Sequence, residues 1–288
     1  MRVVVVGATG NAGTALLRAL VVDPQMTSVV GIARRLPDRT ASPYRQCEWV
    51  AADIASTEPE DVVVKRLAEV FRGADAVVHL AWLVQPNRDR DLLRRANVEG
   101  TRRVALAAVS AGVPHLVVAS SVGAYSPVDD DIPRAEDWPT AGIPTSHYSV
   151  DKAAQERVLN QVERANPDLT VTRVRPALVF QGDAAAEVVR FFLGPLVPVR
   201  LLRLGRPPVL PLPATLRLQA VHADDLADAY RRIVAARAGG AFNVAADDLL
   251  SSADLANVVD HGRLRVPHDH IAVALVAARG HLARLRQA

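Results

Sequence analysis

The chain opens on a run of β-branched residues that ends in glycine and passes straight into a helical pattern. Arg2–Val6 holds four consecutive valines, Gly7-Ala8-Thr9-Gly10-Asn11-Ala12-Gly13 follows, and Leu16, Leu17 and Leu20 then carry helical spacing over Thr14–Val22. An uninterrupted apolar run of this length reads as a strand buried on both faces. Glycines after such a strand permit a tight turn and a close approach of backbone to a pyrophosphate. The helix beyond presents free N–H groups and a partial positive charge to it. The spacing is G-x-x-G-x-x-G rather than the usual G-x-G-x-x-G. It is therefore the place of the glycines, between first strand and first helix, that carries the dinucleotide reading. Gly7, Thr9, Gly10, Asn11, Ala12 and Gly13 are the candidate phosphate contacts.

The same alternation continues. Strands are predicted over Ser28–Ala33, Glu48–Ala52, Asp75–Leu80, His115–Ala119 and Leu169–Val174. Helices are predicted over Glu58–Phe71, with Val62, Leu67 and Val70 on the buried face, and over Asp89–Ala111 and Ser146–Ala165. Strands alternating with helices predict an α/β fold with a doubly wound parallel sheet of Rossmann type. After residue 176 the character changes, with Pro195, Pro198, Pro207, Pro208, Pro211 and Pro213 crowding a short span. A helix over Asp224–Ala236, a strand over Ala241–Val244 and a helix from a Ser251 cap to about Val259 follow. The expected organisation is a dinucleotide-binding domain over 1–175 and a smaller, less regular substrate region over 176–288, part of it packing back on the sheet.

Composition narrows the function. A chain of 288 residues buries roughly three quarters of its unfolded surface and needs no staple. Cys47 is the only cysteine, which excludes an internal disulfide and multi-cysteine metal sites and suits a reducing cytoplasm. Aromatic residues are 4% of the chain, and its 34 basic residues are interleaved with 31 acidic ones, so no nucleic-acid surface is expected. The apolar stretches Ala76–Val84 and Leu193–Leu202 fall short of the roughly 18 residues of a membrane span or contain charge. His268-Asp269-His270 lacks a third ligand nearby and reads as solvated, so no metal is expected. The expected partner is a small-molecule substrate, with a homodimer left open.

Two features bear on chemistry. Tyr148 and Lys152 are four apart on one helix face, and Lys152 is one of only two lysines in the chain. A free tyrosine titrates near 10, and bringing it near 7 needs roughly 4 kcal/mol of preferential stabilisation of the phenolate. A nearby ammonium and a cationic nicotinamide are able to supply it. Ser120-Ser121 follows the strand His115–Ala119, at the carboxyl end where doubly wound folds bind ligands. The second strand ends Gly31-Ile32-Ala33-Arg34-Arg35 with no acid for a ribose 2′-hydroxyl. Two guanidiniums there suit a 2′-phosphate, favouring NADP(H) and leaving NAD(H) open.

With these motifs the chain resembles an extended short-chain dehydrogenase/reductase, the NAD-dependent epimerase/dehydratase family. Further matches are Asp53-Ile54, His79-Leu80-Ala81, Asn97-Val98-Glu99-Gly100-Thr101, Ser120-Ser121-Val122-Gly123-Ala124-Tyr125, Arg175-Pro176 and Val221-His222-Ala223-Asp224-Asp225-Leu226. The resemblance implies that Asp53 and Ile54 flank an adenine. It sets Leu80, Ala81, Trp82 and Asn97 with the cofactor contacts, and Pro176 to Leu178 near the nicotinamide. Ser121 would be the catalytic hydroxyl and Tyr148 the acid/base, with Lys152 tuning the tyrosine and bonding the nicotinamide ribose. Val122-Gly123 stands where family dehydratases carry Asp-Glu, which argues against dehydration. Ser126 after Tyr125 and Gln181 after the Arg-Pro strand also depart from the family pattern. The expected function is an oxidoreductase moving a hydride between nicotinamide and a carbonyl or secondary alcohol. The alternatives are a nucleotide-sugar epimerase that retains its cofactor and a non-catalytic dinucleotide-binding sensor or scaffold. Trp82, Leu83 and Val84, with Phe191, Phe192, Leu193, Leu196, Val197 and Val199, favour a mostly apolar substrate. Arg190, Arg200, Arg203 and Arg206 are the candidates for gripping a diphosphate instead.

Overall fold

A computed structural model describes residues 1–84, 89–130, 132–180, 217–252 and 254. The order of elements is β1 (Arg2–Val6), α1 (Asn11–Val21), β2 (Ser28–Ala33), β3 (Glu48–Ala51), α2 (Glu60–Phe71), β4 (Ala76–His79), α3 (Arg90–Arg94), a π-helical turn over Arg95–Glu99, and α4 (Gly100–Ser110). Then come β5 (His115–Ala119), α5 (His147–Ala165), β6 (Thr170–Pro176), β7 (Leu178–Phe180), β8 (Arg217–His222), α6 (Ala223–Ala236), β9 (Gly240–Val244) and β10 (Leu249–Ser251).

Seven strands form one parallel sheet in the order β3-β2-β1-β4-β5-β6-β9. The order reverses between β1 and β4, the place where doubly wound sheets open a crevice at the carboxyl ends of their strands. The valine runs of β1 and β4 are fully buried because helices cover both faces. One face packs α2, α4 and α5 through Leu67, Phe71, Val104, Ala108 and Leu159. The other packs α1 and α6 through Leu16, Leu17, Leu20, Leu226, Tyr230 and Val234.

Two expectations shift. The buried stripe of α2 is Val63, Leu67 and Phe71, while Val62 is 39% exposed, so the stripe lies one residue further along than Val62 suggested. The single helix predicted over Asp89–Ala111 is interrupted by the π turn, where Ala96, Asn97 and Val98 are buried together.

The chain divides into two compact units, Met1–Val179 with Val221–Val244, and Phe180–Ala220 with Ala245–Ala288. In the second unit, β8 and β10 pair antiparallel, with Leu218 opposite Leu250. Ser251 N donates to Asp254 at 2.7 Å and Asp254 N donates back to Ser251 Oγ at 3.3 Å, a reciprocal cap. Gln181, the proline-rich span with its arginines and apolar residues, the helix to Val259 and His268–His270 lie outside the described residues. Among the described residues no helix is long and apolar enough to cross a membrane.

Candidate active site

The candidate phosphate loop is built from backbone. Gly7 turns with φ +88°, a conformation that favours glycine, and a Cβ on it would lie 2.5 Å from Ala81 N. Gly13 packs so closely on the Gly7 carbonyl that a Cβ has no room there either. Gly10, extended, caps α1 without a side-chain bond, and the first turn of α1 holds no acidic residue. That helix terminus therefore has neither a capping side chain nor a carboxylate competing with an anion. These are the features a pyrophosphate requires, and the loop fits one.

A cleft of about 230 Å³ opens beside the loop. It brings together Gly7, Thr9, Gly10, Arg34, Asp53, Ile54, Leu80, Ala81 and Trp82 from the predicted set, with Leu83. Asp53 Oδ1 accepts from Ala55 N at 2.9 Å, which fixes the turn after β3. Ala52, Ala55 and Ala96 line the cleft too, and nothing in their spacing signals it. Arg35, Asn11, Ala12, Gly13, Asn97, Pro176 and Leu178 are outside this lining. Asn97 instead exchanges two hydrogen bonds with Leu83, accepting from its N–H at 2.7 Å and donating to its carbonyl at 3.0 Å. It holds the cleft wall from behind.

The candidate reacting groups are side chains. Ser121 follows β5, and its Oγ accepts from Gly123 N at 3.0 Å. Ser146 caps α5, and Ser149 in the first turn donates to the Gly123 carbonyl while accepting from Ile143 N at 2.6 Å. These bonds pin the start of α5 to the turn after Ser121 and bring Tyr148 onto it. Burial pushes the Tyr148 phenol up, and the neighbouring Ser121 hydroxyl pulls the other way. A Cβ on Gly123 would lie 3.0 Å from Tyr148 Cε1 and 3.3 Å from Ser121 Oγ, so a side chain there would press on both.

Lys152 is 2% exposed. Its ammonium donates to the Ala119 carbonyl at 2.7 Å and to Gln155 Oε1 at 3.1 Å, and it lies under the Trp82 ring, 3.4 Å from the centroid. Burial holds it well below the usual lysine range, with Glu156 opposing that shift. In this geometry the ammonium is turned to those three groups.

Behind the pair lies a buried polar network whose bonds sequence reasoning missed. Arg175 donates to both oxygens of Glu156, at 2.8 and 2.7 Å, and Ser120 Oγ donates to the same carboxylate at 2.6 Å. Arg175 also donates to Tyr125 Oη at 2.9 Å, whose hydroxyl donates to Asn243 at 2.6 Å. Gln155 donates to Thr101 Oγ1, and Thr101 donates to the Asn97 carbonyl, so His79 Nε2 is the donor in its 3.0 Å bond to Thr101. Burial, with Lys152 nearby, holds His79 down at about 3 and hence neutral. The motif matches named Arg175, Ser120, Tyr125, His79, Asn97 and Thr101 separately, while Gln155, Glu156 and Asn243 went unnamed. No spacing rule joins α5 to β6.

The chain is similar to known proteins over most of its length. The family model described as the NAD dependent epimerase/dehydratase family matches residues 3–245. An L-arabinose 1-dehydrogenase (NAD(P)(+)) of Haloferax volcanii is 31% identical over 169 residues, 55% of this chain and 60% of that protein. A UDP-glucose 4-epimerase of Mycolicibacterium smegmatis is 31% identical over 188 residues, 62% of this chain and 56% of that protein. The chain thus spans little more than half the length of these two curated relatives. Among solved structures, the Thermus thermophilus UDP-glucose 4-epimerase in complex with NAD superposes with a TM-score of 0.72 at 21% identity, covering 93% of this chain and 86% of that one.

Proposed function

The chain belongs to the NAD dependent epimerase/dehydratase family, and from that premise we propose a nicotinamide-dinucleotide-dependent oxidoreductase acting on a carbonyl or secondary alcohol. The observation that carries this reading is the convergence of the Tyr148 ring and Ser121 Oγ on Gly123 at the carboxyl end of β5, with Lys152 one helical turn further along α5. A bound nicotinamide supplies or accepts the hydride. Ser121 holds the substrate oxygen, and Tyr148 donates or accepts its proton. Lys152, already buried beside the tyrosine, bonds the ribose on the nicotinamide side. The loop Gly7–Gly13 and the N-terminus of α1 hold the pyrophosphate, and Asp53 and Ile54 flank the adenine. Pro176 and Leu178 border the nicotinamide.

NADP(H) is the favoured dinucleotide, with NAD(H) second. Arg34 lines the cleft at the end of β2, and neither it nor Arg35 has an ion-pair partner among the described residues. Both guanidiniums are exposed and available to a 2′-phosphate. Dehydration is not proposed, because Val122 and Gly123 stand where the family's dehydratases carry an acid pair, so no carboxylate is there to move the protons of water loss. The name of the Mycolicibacterium relative favours a second reading, nucleotide-sugar epimerisation with the cofactor retained.

The deciding experiment follows NADPH absorbance with a panel of hydrophobic aldehydes and ketones beside uridine and thymidine diphosphate sugars. Net oxidation with a carbonyl compound supports the reductase. Interconversion of a nucleotide sugar with no net change in cofactor replaces it with the epimerase. Tight dinucleotide binding without turnover of either class leaves a binding protein.

A further inference from the structure

Trp82 stands where the two parts of the site meet. Its ring lies over Lys152 Nζ at 3.4 Å, and it meets the Tyr148 ring edge-on with centroids 5.9 Å apart. The same residue lines the cleft with Gly7, Gly10 and Asp53. Lys152 has three N–H groups. Two are held by Ala119 and Gln155, so the direction covered by the indole is the one left for a ligand. The indole Nε1 is buried and has no hydrogen-bond partner among the described residues.

The backbone on either side of Trp82 is fixed. Ala81 packs against Gly7 too closely to admit a methyl group, and Leu83 is held at both N–H and carbonyl by Asn97. Movement of the indole is therefore a side-chain rotation. A cation over a ring is held by the ring quadrupole alone, whereas sugar hydroxyls accept a charge-assisted hydrogen bond from the ammonium. Rotation also frees an unpaired N–H, which is costly while buried.

We propose that Trp82 is a displaceable cover on Lys152 and sets which ligands engage the reacting pair. The indole keeps its place against adenine mononucleotides, which end at the phosphates. It yields its place to ligands that carry a second sugar beyond the pyrophosphate. The inference rests on the dinucleotide reading of the cleft.

The test uses the full chain labelled with 5-fluorotryptophan. Trp49, Trp82 and Trp138 give three fluorine resonances, and Trp82→Phe assigns one of them. ADP, ADP-ribose, NAD+ and NADP+ are titrated, with calorimetry reading binding in parallel. The Trp82 resonance is expected to move with ADP-ribose and both dinucleotides, and to stay within its linewidth with ADP. In Trp82→Ala, affinity for ADP-ribose measured relative to ADP on the same variant is expected to rise about fivefold or more, the equivalent of one cation–π contact. Dinucleotide binding without movement of the Trp82 resonance overturns the proposal, as does equal movement with ADP or the failure of ADP-ribose affinity to rise. Failure of every dinucleotide to bind overturns it together with the dinucleotide reading, whereas binding with a still indole overturns it alone.

Discussion

Around the phosphate loop the chain works with backbone. Gly7 and Gly13 press against Ala81 and Ala8, and the start of α1 has no side-chain cap. Around Ser121 and Tyr148 it works with buried side chains, with Lys152, Gln155 and Glu156 all 2% exposed or less. The two regions lie at the carboxyl ends of the same sheet, yet they fail in different ways. A backbone cradle has no proton to lose and is broken by adding a Cβ. A network of buried polar groups tolerates little loss, because each deletion leaves a partner unsatisfied in a dry place.

The largest effect therefore belongs to the network. Glu156→Ala leaves Arg175 buried with its carboxylate gone and Ser120 without an acceptor. Removing one partner of a buried ion pair costs about 3–5 kcal/mol, and thermal unfolding of the variant reads it. A change below about 1 kcal/mol, the range of exposed ion pairs, would put the two regions on the same footing.

Next in size is pH. His79 and His115 are held at about 3 and about 4, in both cases chiefly by burial. Their folded values lie below the unfolded value near 6.5, so the unfolded chain binds more protons below that pH and stability is lost as pH falls. The window runs from about 6.5 down toward 4 and then 3. Between pH 6.5 and 5 the loss is up to about 3 kcal/mol for the pair, measurable as a falling urea midpoint. His79→Gln keeps a donor for Thr101 and is expected to remove about half of that slope. A slope unchanged by the substitution would take His79 out of the account.

How far these features could be read beforehand divides along the same line. The cradle and the sheet were legible, because strands buried on both faces appear as valine runs and a glycine turn is a local event. Tyr148 and Lys152 were legible as a pair, because four residues is one helical turn. Their setting was not. Trp82 reaches Lys152 only because the end of β4 lies beside α5, and Glu156 meets Arg175 only because α5 lies on β6. No periodicity encodes such meetings. Asn97 was found by motif, yet its two bonds to Leu83 belong to a π turn that helical spacing does not announce. The Val62 error has a similar root, since Val62, Val63 and Val64 are all apolar and packing alone chose among them.

Tyr148→Phe separates the regions by function. The ring still fills its place against Trp82 and Gly123, and only the hydroxyl is lost. Turnover is expected to fall about 100-fold or more, the usual share of a general acid or base, which corresponds to roughly 2.7 kcal/mol. Dinucleotide affinity, held by the backbone cradle, is expected to stay within about twofold by calorimetry. Near-normal turnover would remove Tyr148 from the chemistry, and a collapse in affinity would show that the two regions are not separable.

The smallest effect sharpens the backbone side. Amide N–H groups and glycines grip a pyrophosphate alike in NAD(H) and NADP(H), so the cradle has no means of telling them apart. Any discrimination must come from side chains at the end of β2, where Arg34 lines the cleft and Arg35 follows. Both are exposed, and solvent screening reduces what each charge contributes. Arg34→Ala with Arg35→Ala is therefore expected to weaken NADPH by about tenfold, near 1.4 kcal/mol, and NADH by less than twofold. Calorimetry on both dinucleotides measures the difference. Equal losses would mean that the arginines act on the general field of the cleft and not on a 2′-phosphate. Tighter binding of NADH by the unaltered chain would assign the site to NAD(H), with the cradle gripping either dinucleotide as before.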